Sequence, residues 1–166
     1  MPRITKIDPE NASPEVRAAI DAHLADGYRL TNEKLTLLHN VTAFNALEVQ
    51  SYALDRELQR LVGKRAADFF EYAISLENDC LVCSTYFGRL LRENGIGDFE
   101  HFDFTPQERL LIAYGRAMAS DPKNIPDALF EQMRAVFSEE TLVVITAMGT
   151  FMIANNVFND ALRVDP

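Results

Sequence analysis

Cys80 and Cys83 stand three residues apart in the stretch Asn78-Asp79-Cys80-Leu81-Val82-Cys83-Ser84-Thr85-Tyr86-Phe87, and the chain holds no other cysteine. A pair at this spacing can cycle between dithiol and disulfide, supply half of a metal site, or pack as two small apolar side chains. Neighbours three apart on a helix share a face with Cβ atoms roughly 5–6 Å apart, whereas a disulfide needs about 3.8 Å. A pair in mid-helix therefore fits a disulfide poorly, and one in the first turn, where the backbone can adjust, fits better. Asn78 or Asp79 is the expected cap, which puts Cys80 in the first turn. There the unpaired amides and the positive end of the helix dipole favour thiolate, while Glu77 and Asp79 oppose it. A structural zinc site needs four nitrogen or sulfur ligands, yet His23, His39 and His101 are dispersed and no second cysteine pair exists. No strand precedes the motif, which argues against a thioredoxin-type fold. The redox reading leads, with a buried core pair as its competitor.

The rest of the composition narrows the setting. The net charge of −9 comes without any block of lysine or arginine, which argues against a nucleic-acid groove and against docking on an anionic membrane. The opening residues, MPRITKIDPENASPEV, lack the apolar run of a secretory signal. The longest apolar-rich segment, Leu142 to Ala154, is shorter than the roughly 20 residues that span a bilayer. Two cysteines make no disulfide scaffold, so a reducing cytoplasm is the expected location. At 166 residues and 48% hydrophobic content, the expectation is one compact soluble domain over 1–166.

The elements that must position the cysteines read as helices. Ser13-Pro14-Glu15 gives a cap, a first-turn proline and an acid, followed by Val16, Ala19 and Ile20 at helical spacing. Asn32 can cap a short helix through His39, and a longer one follows from about Thr42 to Leu61 until Gly63 breaks it. Arg65 to Leu76 carries Ala66, Phe69, Phe70, Ala73 and Ile74 on overlapping rows. The cysteine helix should run to Asn94, with Gly95 as its stop. Thr105-Pro106-Gln107-Glu108 fits a capping box for a helix to about Ser120, Pro126 opens the next, and Ser138 caps the last. No segment sustains period-two alternation, so the expected fold is an all-α bundle of about seven or eight helices. The last helix, TLVVITAMGTFMIANNVF, is apolar almost all round and must be buried centrally or in a subunit contact. Gly149 would let another helix approach it closely.

Taken together, these residues resemble the carboxymuconolactone decarboxylase family, in its AhpD-like alkylhydroperoxidase branch. That pattern places an acid twelve residues before the first cysteine, then C-x-x-C, a histidine four after the second cysteine, and a glycine about eight further on. Asp68, Cys80, Cys83 and Gly95 fall in register, but the histidine slot is Phe87 and the residue before the second cysteine is Val82. FTPQERLLIAYGRAMASDP and FSEETLVVITAMGTFMIANNVFNDAL also resemble peroxidase-related members, so the likeness runs from about Asn32 onward, over a motif-bearing core of about 32–162.

The resemblance implies a thiol-dependent antioxidant peroxidase in which Cys83 attacks a hydroperoxide and Cys80 closes the disulfide. A dithiol partner would re-reduce it, with no cofactor or metal, and the chain would assemble as a homo-oligomer, a trimer or higher and at least a dimer. Asp68 would stand where the family has glutamate, with a side chain one methylene shorter. Glu71, three residues on, could supply a second carboxylate, and Tyr86, three after Cys83, could present its hydroxyl. For Asp68 and Glu71 the alternatives are solvent exposure or pairing with Lys64 or Arg65; for Tyr86 it is packing. The eponymous decarboxylase chemistry lacks its placed acid–base group here. A competing reading, favoured by Val82 and Phe87, is a helical binding or assembly protein whose thiols are redox-sensitive but not catalytic.

Overall fold

The computed structural model describes all residues, Met1–Pro166. A 3-10 turn at Pro9–Asn11 precedes eight helices: α1 (Pro14–Ala25), α2 (Asn32–Leu37), α3 (Val41–Val62), α4 (Lys64–Glu77), α5 (Leu81–Glu93), α6 (Pro106–Ser120), α7 (Asp127–Val136) and α8 (Glu139–Leu162). The bundle is all-helical. Side-chain caps start most of the helices: Ser13, Thr31, Asn40, Thr105 and Ser138 each accept an early backbone N–H. Thr105 and Glu108 close the expected capping box. Thr31, rather than Asn32, caps α2, which frees Asn32 to reach the carbonyls of Asp165 and Pro166.

α4 is the axis of the fold and packs against α3, α5, α6 and α8. Phe70 and Ile74 enter the main core with Leu111, Tyr114, Met118, Ile145 and Met148. On the opposite side of α4, Phe69 meets Phe99, Phe102 and Phe104 at tilted or edge-on angles with centroids 5.0–5.7 Å apart. Close approach of three helices depends on two glycines. A Cβ on Gly149 would lie 2.7 Å from Met118 Cε, and one on Gly115 would lie 3.0 Å from Phe70 Cδ2. The expected close approach at Gly149 is therefore present, with α6 and the Phe70 ring of α4 as the neighbours.

α8 runs for 24 residues, longer than its apolar core sequence suggests, and is long and apolar enough by composition to cross a bilayer. Here it lies against α3, α4 and α6, with Ile145, Met148, Phe151 and Met152 buried. Asn156 and Asn159, also buried in α8, find partners on the α4–α5 turn, α2 and α5.

The α4–α5 junction corrects the expected cap. Neither Asn78 nor Asp79 caps α5; Cys80 does, with its Sγ accepting from the Cys83 amide at 3.4 Å. The reason is that Asn78 and Asp79 are needed to end α4. Asp79 adopts φ +54 and takes the left-handed position usually given to glycine. Its N–H bonds to Leu76 O, and the Cys80 N–H reaches back to Ser75 O at 3.1 Å, which completes a Schellman stop. Only three residues separate two helices, so the Cys80 backbone belongs to both.

Candidate active site

This double duty fixes the sulfurs. Cys80 is fully buried and Cys83 is 5% exposed, both are free thiols, and their Sγ atoms lie 2.8 Å apart. At that separation the two sulfurs are hydrogen-bonded to each other. The Cys83 amide donates to Cys80 Sγ and the two sulfurs bond to each other, and these hydrogen bonds pull the Cys80 pKa below its usual value despite burial. Cys83 is pushed up, first by its hydrogen bond to Cys80 and then by desolvation. Access runs the other way, because Cys83 lines the large cavity of the fold and Cys80 does not. Negative charge is thus favoured on the inner sulfur, and contact with an incoming molecule on the outer one.

The cavity has a volume of about 650 Å³. It brings Cys83 together with Asp68, Glu71, Tyr86 and Phe87. None of these four hydrogen-bonds to either sulfur. Asp68 is held by Lys64 through contacts of 2.7 and 3.0 Å, and burial still raises its pKa against that pull. Glu71 is buried, its Oε1 has no hydrogen-bond partner, and its pKa lies well above the ordinary value. Desolvation is the largest cause, with the charges of Asp55 and Asp68 adding to it. Glu71 is therefore biased toward its protonated form relative to an exposed glutamate. Tyr86 is 42% exposed and packs edge-on against Phe87. Phe87 itself belongs to the main core.

A second polar cluster, with little local signal in the sequence, reaches Cys83 from α2, α3 and α8. Asn159 Nδ2 lies 3.3 Å from Cys83 Sγ and 3.2 Å from Glu33 Oε2. Asn155 Nδ2 reaches the same Glu33 oxygen at 3.2 Å. Lys34 Nζ sits 3.2 Å from Glu33 Oε1 and 2.5 Å from Glu48 Oε1. Burial lowers the Lys34 pKa, but the two carboxylates outweigh it and the ammonium is retained. Beyond Glu48 come His23 Nδ1 at 2.9 Å and the Tyr52 hydroxyl. In the sequence, Glu33-Lys34 reads as an ordinary solvated helix start. The available signal was Asn155, Asn156 and Asn159 interrupting an otherwise apolar helix. His39 and His101 stay away from the cavity, bonded to Thr5 O and Asp98. No three of the His, Cys, Asp and Glu side chains converge as metal ligands would.

Comparison with known proteins places this geometry in a fold. No family model matches the sequence, and no curated protein matches it. Among solved structures, it is similar to an uncharacterized peroxidase-related protein from Silicibacter sp. TM1040, with a TM-score of 0.77 and 17% identity over 98% of this chain and 91% of that one. It is also similar to the alkylhydroperoxidase AhpD core of an uncharacterized peroxidase-related protein from Ralstonia eutropha JMP134, with a TM-score of 0.75 and 20% identity over 99% and 92% of the two chains. At these identities the likeness is one of fold: the chain carries the all-helical AhpD-like fold. It extends through α1 and the segment before Asn32, which the sequence resemblance did not reach.

Proposed function

We propose that the protein is a thiol-dependent peroxidase of the AhpD-like alkylhydroperoxidase branch, with Cys83 as nucleophile and Cys80 as resolving thiol. The observation that carries this is the division of labour between two touching sulfurs, of which only Cys83 lines the cavity. Cys80 thiolate takes the proton of Cys83, which makes up for the imidazole absent at Phe87. Cys83 thiolate then attacks the distal oxygen of a hydroperoxide and breaks the O–O bond. Glu71, in its protonated form, delivers the proton to the departing alkoxide, giving an alcohol and a Cys83 sulfenic acid. The Cys80 thiol attacks that sulfur, water leaves, and a disulfide forms. An external dithiol returns both electrons, and one of the protons released restores Glu71.

The same reading places the protein in a reducing cytoplasm and in a homo-oligomer. The exposed side of α8 supports the second point: Val143, Thr150, Ala154 and Val157 form an uncharged stripe, with Val143 68% and Val157 60% exposed.

Replacing each cysteine by serine tests the assignment. Cys83→Ser should abolish peroxide consumption, whereas Cys80→Ser should leave one trappable sulfenic acid on Cys83. Trapping on Cys80 instead would reverse the roles. The absence of any imidazole at the sulfurs favours a second reading, a non-catalytic binding or assembly protein. It takes over if wild-type protein reduces no peroxide with any of several dithiols.

A further inference from the structure

Asn159 is the one side chain outside the C-x-x-C pair that hydrogen-bonds to either sulfur, and it comes from the far end of the chain. It is 1% exposed. Its orientation follows from its partners. A carboxylate only accepts, so the amide nitrogen of Asn159 must face Glu33, and the second proton on that nitrogen then points at Cys83 Sγ. Glu33 is held in turn by Asn155 and by the Lys34 ammonium.

We propose that Asn159, oriented by Glu33, holds the negative charge on Cys83, so that the reacting sulfur is supported by an amide fixed from α2 and α8 rather than by a ring on its own helix. Asn159 touches the reacting atom and Glu33 is a positioning residue. The assignment rests on Cys83 being the attacking thiol. A thiolate created in a buried site needs a donor, since hydrogen bonds to charged groups stabilise more than neutral ones. The α5 terminus is already engaged in part, because the Cys83 amide is turned toward Cys80. Other charges bear on the pair from each side. Cys80 and Glu33 oppose ionisation of Cys83, and Asp160 of α8 together with Glu33 opposes that of Cys80. Asp68 and Glu71 of α4 and Asp55 of α3 line the cavity in front of Cys83. Against this acidic surround Asn159 is the neutral donor. The charge of Glu33 is offset by Lys34.

The test is the pH profile of Cys83 alkylation by iodoacetamide in full-length Cys80→Ser protein, where Cys83 is the only thiol. Asn159→Leu should slow alkylation about tenfold at pH 7 and move the ionisation midpoint up by about one pH unit. Asn159→Ala should give the same shift and serves if the leucine variant does not fold. Glu33→Gln should slow the reaction about threefold when Asn159 is present, because a glutamine can face Asn159 with either end. In the Asn159→Ala background the same change should no longer slow it. A folded Asn159 variant with an unmoved midpoint overturns the proposal, as does equal slowing by Glu33→Gln in both backgrounds. Peroxide turnover by wild type is scored separately. Shifted midpoints without turnover would retain the Asn159 role and remove the peroxidase reading, and turnover with unmoved midpoints would do the reverse.

Discussion

Two acidic clusters border the cavity, and they are built on opposite principles. In one, Glu33 of α2 and Glu48 of α3 flank Lys34, with His23 and Tyr52 behind. In the other, Asp55, Asp68 and Glu71 share only Lys64, whose side chain is 56% exposed and binds Asp68. The first cluster sets its carboxylates against the Lys34 ammonium. In the second, burial and the neighbouring carboxylates push Glu71, the most enclosed of the three, well above its ordinary pKa. Glutamate side chains meet an ammonium in one place and other carboxylates in the other.

Substitutions that treat the clusters as equivalent should fail in different ways. The largest effect is expected for Lys34→Met, which strands two buried carboxylates. About 3 kcal/mol of stability should be lost, read as a lower urea midpoint, since breaking a buried ion pair leaves uncompensated charge. A loss below about 0.5 kcal/mol would mean that the paired cluster is solvated.

Glu71→Gln should hardly disturb packing but should slow peroxide reduction at pH 7 about a hundredfold, the lower end of a general acid's contribution. Its stability effect has a definite sign. A carboxyl whose native pKa is raised contributes stability that is full below its unfolded value, near 4.5, and is lost as pH rises through the native value. Wild type should therefore fall behind Glu71→Gln by up to about 1.4 kcal/mol per pH unit within that window. Melting curves from pH 4 to 8 that stay parallel for the two proteins would show that Glu71 is an ordinary carboxylate.

The smallest effect is assigned to Tyr86→Phe. With its hydroxyl bonded to neither sulfur, the change in turnover should stay within about twofold, and a tenfold loss would bring Tyr86 into the chemistry.

The same contrast explains what could be read from the sequence. The helices were legible because their signals are local: caps such as Thr105 with Glu108, breaks such as Gly63, and the apolar rows of α4. The cavity partners Asp68, Glu71 and Tyr86 were within reach because they lie close to the cysteines in sequence or in register with them. The cap of α5 is not legible in the sequence because an aspartate, rather than a glycine, takes the left-handed position that ends α4 and so passes the cap to Cys80. The paired cluster was missed because its members are separated along the chain by up to 126 residues, as between Glu33 and Asn159. Charge compensation at that range leaves no local pattern, and only the polar interruptions of α8 hinted at it.

The distance between Cys83 and Asn159, 76 residues along the chain, also has a meaning in time. Synthesis proceeds from the N-terminus at about 5–20 residues per second, so on the order of 10 s separates the two residues during translation. Through that interval the growing chain already carries both thiols and the turn that brings them together. It does not yet carry Asn159, the side chain that hydrogen-bonds to the outer sulfur. On the role proposed for Asn159, full reactivity of Cys83 would await docking of the final helix.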